Sequence, residues 1–108
     1  SQPIADFAAE YSGRTIAFNG HIAVMNNHGD YDTRYDILLG SGDFSEMTGP
    51  GPVFQFRDVN IVSNLNLTGP NIPDTLGVQD ALRITAVVEE FEENSCRLQL
   101  DPVTTEIR

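Results

Sequence analysis

The sequence predicts a small, mostly β domain: a five-stranded barrel led into by a short helix. Three observations carry that expectation. Stretches in which every second residue is apolar alternate with clusters of Asn, Asp, Gly and Pro, the signature of short strands joined by turns. Nine Gly and six Pro in 108 residues favour many turns over long helices. The length supports one hydrophobic core and is too short for two, so residues 1–108 are read as a single domain.

The elements follow in chain order. Ile4, Phe7, Ala8 and Tyr11 recur at helical spacing, with Pro3 in the first turn and Gly13 past the end, so residues 1–13 hold a short amphipathic helix leading into the barrel. From residue 15 to 25 the period changes to two. Ile16, Phe18, Gly20, Ile22 and Val24 share one face, His21 falls on the other, and Gly20 marks a bulge or bend. Asn26 to Asp30 is turn chemistry. A second strand spans 34–39, with Tyr35, Ile37 and Leu39 on one side, and ends at Gly40-Ser41-Gly42-Asp43. Gly49-Pro50-Gly51-Pro52 is loop. A third strand covers 53–61, and its alternation slips between Phe56 and Val59, the mark of a bulge or helical turn. Residues 64–77 read as loop with one helical turn near 74–76. Leu82, Ile84, Ala86 and Val88 form a fourth strand. After the polar turn at 92–95, Cys96, Leu98 and Leu100 share a face of a fifth, which makes the last two strands a hairpin. Five strands grouped three and two suggest a five-stranded Greek-key barrel of the OB type, with a sandwich as the competing architecture.

Charge narrows the partners. Sixteen Asp and Glu stand against six Arg and no Lys, a formal net charge of −10. Arg14, Arg34, Arg57, Arg83, Arg97 and Arg108 are scattered, so no nucleic acid is expected as partner. No apolar run is long enough for a membrane-spanning helix, so no membrane insertion by this segment is expected. The N-terminus shows neither the basic region nor the apolar run of a signal peptide, which leaves a leader or anchor removed ahead of Ser1 open. Cys96 is the sole cysteine, which excludes an intramolecular disulfide.

Two stretches, Asn26 through Asp43 (NNHGDYDTRYDILLGSGD) and Leu100 through Arg108 (LDPVTTEIR), resemble a bacterial family, the domain of unknown function numbered 4839. The likeness extends from Gly13 to Arg108. It implies an actinobacterial protein in an extracellular or cell-envelope setting and supplies no catalytic motif. Separately, Gln79 through Glu89 is similar to the fourth strand of bacterial OB-fold domains, with Gln79 where those domains often carry glycine.

Candidate sites are few. Asp30, Asp32, Asp36 and Asp43, with His28, Ser41 and Glu46 nearby, form the densest polar stretch and are the candidate calcium ligands, since hard cations take several oxygens from one loop. The order of an EF-hand is missing. Two His and one Cys fall short of a zinc site. No nucleophile sits in a recognisable elbow, so no enzyme and no cofactor are expected. Gly40-Ser41-Gly42-Asp43 lacks the Lys and trailing residues of a phosphate loop. Tyr31, Arg34, Tyr35 and Phe91 are the candidate contacts for a protein or peptide partner, and Tyr31, Tyr35, Phe44, Phe54 and Phe56 are the aromatics that an OB barrel would stack on bases or sugars. Glu89 to Glu93 reads as a solvated hairpin tip, with docking of a basic partner as the sharper alternative. The function expected is a non-catalytic binding module, with calcium binding through the loops of residues 28–46 and oligonucleotide or oligosaccharide binding as the alternatives.

Overall fold

The computed structural model describes residues 2–43 and 53–108, and within them the chain is mostly strand. One helix, α1 (Gln2–Tyr11), precedes β1 (Thr15–Asn27), β2 (Tyr35–Ser41), β3 (Phe54–Val59), β4 (Leu67–Thr68), β5 (Ala81–Glu92) and β6 (Arg97–Ile107). β1, β2 and β3 form an antiparallel meander. β5 returns to lie antiparallel against β1, and β6 pairs with β5 on one side and, in parallel, with β3 on the other. The pairing β3–β6 closes a five-stranded barrel, and the return of the fourth barrel strand to the side of the first makes it a Greek key. Closure removes most of the exposed sheet edge that an open five-stranded sheet would present.

Inward-facing residues from all five strands fill the interior. Ile22, Ile37, Leu39, Phe56, Leu82, Ile84, Ala86, Val88, Leu98 and Leu100 are buried there, and Ile61, Leu65 and Leu76 from the long β3–β5 connection add to the same cluster. Truncating one of the large aliphatic members to Ala costs about 2–5 kcal/mol in such settings. α1 adds Ala8, buried, and Ile4, Phe7 and Tyr11, half-buried. Phe7 meets Phe54 edge-on at 6.3 Å, and Phe54 in turn packs on Phe18 at 4.8 Å, so the helix sits beside the start of β3. Gly13, at φ 78°, reverses the chain after α1, and its N–H donates to the Val88 carbonyl while Val88 N–H donates to Arg14, which draws the helix exit onto β5.

Several elements depart from the sequence reading. The bulge of β1 lies between Ile22 and Val24, not at Gly20. His21 lies on the face opposite Gly20 and Ile22, in register with Gly40 and Ala81, and is nevertheless only 1% exposed, its ring packed against Gly40. Gly20 instead answers a close approach: a Cβ there would stand 2.7 Å from the Gly40 carbonyl oxygen. The slip between Phe56 and Val59 is a bulge, because Tyr35 pairs with Val59 while Ile37 pairs with Phe56, and Asp58 takes the left-handed conformation at φ 55°. The helical turn of the long connection lies at 61–64, not at 74–76. Asn60 builds it, its side-chain oxygen accepting from Val62 and Ser63 N–H at 2.9 Å each. β4, parallel to β6 at Leu67↔Thr105 and Thr68↔Glu106, is a further strand outside the barrel. Cys96 belongs to the β5–β6 turn at φ 53°, ahead of β6, and is half-buried rather than part of the core face. Phe44, Glu46 and the Gly49-Pro50-Gly51-Pro52 loop lie outside the described residues.

Candidate binding site

The β1–β2 connection, residues 28–34, gathers a set of side-chain interactions at one end of the barrel. Its backbone is tied at several points. His28 N–H donates to the Arg34 carbonyl at 2.7 Å and Tyr31 N–H to the His28 carbonyl at 3.1 Å. Asn27 Nδ2 donates to the Tyr31 carbonyl at 3.0 Å, and the Tyr35 hydroxyl donates to the Asp32 carbonyl at 3.2 Å. Asn60 reaches across to the Thr33 carbonyl at 3.2 Å. Gly29, at φ 56°, takes the left-handed position of the turn.

On this frame Arg34 lies over the Tyr31 ring, its guanidinium carbon 3.8 Å from the ring centroid. The same guanidinium makes a two-pronged hydrogen bond to Asp58, Nε to Oδ1 and Nη2 to Oδ2. That bond is the main cause of a lowered Asp58 carboxyl pKa. Desolvation opposes it, and the charges of Arg34 and His28 add to it. The Arg34 pKa is raised, first by the hydrogen bond it donates to Asp58. His28 completes the group: Nδ1 lies 3.0 Å from Asp36 Oδ1, Nε2 lies 3.9 Å from Asp58 Oδ2, and the ring stacks on Tyr31 at 6.4 Å. Asp36 Oδ1 also accepts the backbone N–H of Asp58 at 2.9 Å, which holds the left-handed residue of the β3 bulge in place. Tyr31 nevertheless leaves 52% of its surface in solvent. A large aromatic ring held rigidly yet left open is an arrangement suited to contact.

The expected residues separate accordingly. Tyr31, Arg34 and Tyr35 come together. Phe91 does not: it pairs with Leu98, at the level of Phe54 and Leu39, whereas Tyr35 pairs with Val59, so Phe91 lies toward the opposite end of the barrel and packs half-buried on the core. The four Asp scatter as well. Asp36 is engaged by His28 and the Asp58 N–H, Asp43 pairs with Arg108 at 3.0 Å, and Asp30 and Asp32 lie exposed. Among the described residues no three His, Cys, Asp or Glu side chains gather closely enough to hold a metal ion. Also among the described residues, no helix is long and apolar enough to cross a membrane.

The residue that sequence reading missed is Asp58. Its only signal was the slipped alternation between Phe56 and Val59. Opposite the acidic hairpin, Arg57 pairs with Glu92 and approaches Glu90 at 3.8 Å.

Comparison with curated proteins and with solved structures returned no match. A family model, by contrast, matches residues 1–108 from end to end, and the chain therefore belongs to the family described as Domain of unknown function (DUF4839).

Proposed function

We propose that this domain is a non-catalytic binding module that holds a protein or peptide partner at the β1–β2 loop, in an extracellular or cell-envelope setting. The observation that carries the reading is Tyr31, half in solvent over a guanidinium that Asp58 fixes from below. Tyr and Arg are the side chains that most often dominate binding energy at protein interfaces, and a side chain already held in place loses little entropy on contact. The topology supports the same surface by analogy: OB-type barrels bind through the face of their second and third strands and the adjoining first loop. The envelope setting rests on the resemblance that the sequence itself carries. The scattered Arg residues and the net charge of −10 weigh against a nucleic acid in this role.

The test is a displayed library of linear peptides panned on the purified domain, with recovered peptides measured against wild type and Tyr31→Ala. The expected result is a loss of roughly tenfold or more in affinity, as for an interface hot spot. The melting temperature should stay unchanged, since the ring is largely outside the core. Recovered peptides that bind Tyr31→Ala as tightly as wild type, or a failure to recover any, would refute the reading.

A further inference from the structure

The ladder that closes the barrel is short. It consists of Phe54↔Leu98 and Gln55↔Gln99, and beyond it the bulge at Asp58 carries β3 away from β6. A cavity of about 220 Å³ lies between the diverging strands, bounded by Arg57 and Asp58 on one side and by Leu100 and Asp101 on the other, with Glu89 at its border. An adjoining hollow of about 230 Å³ shares Arg57, Glu89 and Leu100 and is lined by Gln99. Around this slot the carboxylates of Glu89, Glu90, Glu92 and Asp101 outnumber the guanidinium of Arg57, which pairs with Glu92 and approaches Glu90. Glu89 and Asp101 make no ion pair among the described residues.

Acidity alone would be a solvated face. Gln99 adds a second, independent observation. It points outward from β6 between the inward Leu98 and Leu100, yet it is only 4% exposed. Its Nε2 donates to Gln55 Oε1 and to Glu92 Oε1, both at 2.6 Å. Because the Glu92 carboxylate can only accept, the amide cannot be turned over, and the carbonyl oxygen Oε1 is left buried with no hydrogen-bond partner. A buried acceptor without a donor is costly, and a donor arriving in the hollow would remove that cost.

We propose that this slot receives a cationic side chain, an arginine guanidinium or a lysine ammonium, from an extended basic segment of the partner. The inference rests on the binding reading above and names the partner's chemistry. The incoming N–H groups donate to Gln99 Oε1 and to the carboxylates of Glu89 and Asp101, and the strongly negative domain steers a basic segment toward it. Because Asp58 both borders the cavity and holds Arg34, the slot begins where the Tyr31 loop ends.

The test titrates the full chain, by NMR at low ionic strength, with a capped pentapeptide of alternating glycine and arginine. The control peptide carries neutral citrulline in place of arginine. Saturable shifts of the Gln99 side-chain amide are expected with the arginine peptide and absent with the citrulline one. Glu89→Gln combined with Asp101→Asn, both at exposed positions, should weaken binding roughly tenfold. Removing the same charge from α1 by Asp6→Asn and Glu10→Gln should leave affinity within about twofold, since screening separates distant exposed charges. Equal weakening by the two pairs would reduce the effect to net charge and overturn the proposal, as would an unmoved Gln99 amide. Selected peptides that depend on Tyr31 while the slot fails would overturn this inference alone. Slot binding without Tyr31 dependence would overturn the loop reading alone.

Discussion

Replacing Gly40 with alanine tests how β1 and β2 are fitted together. Gly40 pairs with His21 across the β1–β2 ladder, and a Cβ at residue 40 would stand 2.5 Å from His21 Cε1 and 2.6 Å from Nε2. The ring has little freedom to retreat. It is 1% exposed, and its Nδ1 is hydrogen-bonded to the Gly42 carbonyl at 2.8 Å. Overpacking a well-filled site costs about 1–3 kcal/mol. For a domain near this size that lowers the melting temperature by roughly 5–15 °C. Urea unfolding of wild type, Gly40→Ala, His21→Ala and the double variant forms a closed cycle. Truncating His21 destabilises by itself, but it clears the space that the new methyl group needs. The cost of Gly40→Ala should therefore fall by about 1 kcal/mol or more in the His21→Ala background. An unchanged cost in that background, or a Gly40→Ala variant as stable as wild type, would refute the claim that the ring dictates glycine here.

Two further outcomes follow from single side chains. Thr105 is fully buried and its hydroxyl has no hydrogen-bond partner among the described residues, so Thr105→Val, which keeps the shape and removes the orphan, should stabilise the domain by about 1 kcal/mol in urea unfolding; destabilisation of that size would show that the hydroxyl is satisfied. Asp58 titrates below its ordinary value of 3.8 in the folded protein, chiefly through the Arg34 hydrogen bond, so its stabilising contribution is complete above that value and is lost as pH falls through the lowered one. The stability advantage of wild type over Asp58→Asn should accordingly hold from neutral pH down to about pH 4 and narrow below it, and a gap that persists in thermal melts at lower pH would contradict the assignment.

Strand alternation carried the architecture because each barrel strand has one face in the core and one outside, and a period of two survives wherever that holds. It failed where the chain breaks the period. In β1 three successive residues, Gly20, His21 and Ile22, are buried although His21 lies on the other face, and no local pattern announces a histidine that a neighbouring strand's glycine accommodates. β6 runs on to Ile107 through Pro102, beyond the alternation read at Cys96, Leu98 and Leu100. The register shift between Thr85 and Ala86 places that proline beside a bulge, where a missing N–H costs little. Of the site, the loop residues Tyr31, Arg34 and Tyr35 were legible because turn chemistry and exposed aromatics are local. Their partner Asp58 lies 24 positions from Arg34, and only closure of the β2–β3 ladder brings the two together. The same distance effect dispersed the aspartates, since Asp43 is drawn to Arg108 at the far end of the chain.

The β3 bulge is therefore the feature on which the surface turns. An unbulged β3 would continue its alternation through residue 58, and the pairing of Tyr35 with Val59 shows that one additional residue has been accommodated. That residue, in the left-handed conformation and tied by its N–H to Asp36, presents its carboxylate to Arg34 and His28. The same excursion ends the parallel ladder at Gln55↔Gln99 and leaves the gap between β3 and β6. One backbone irregularity thus orders the Tyr31 loop on one side and opens a polar cavity on the other. Left-handed backbone costs a non-glycine residue about 1–2 kcal/mol. A glycine at residue 58 would relieve that cost but abolish the carboxylate, so the conformation and the side chain are required together. Aspartate meets both demands, because a short polar side chain is among the few that tolerate this conformation while still reaching a guanidinium.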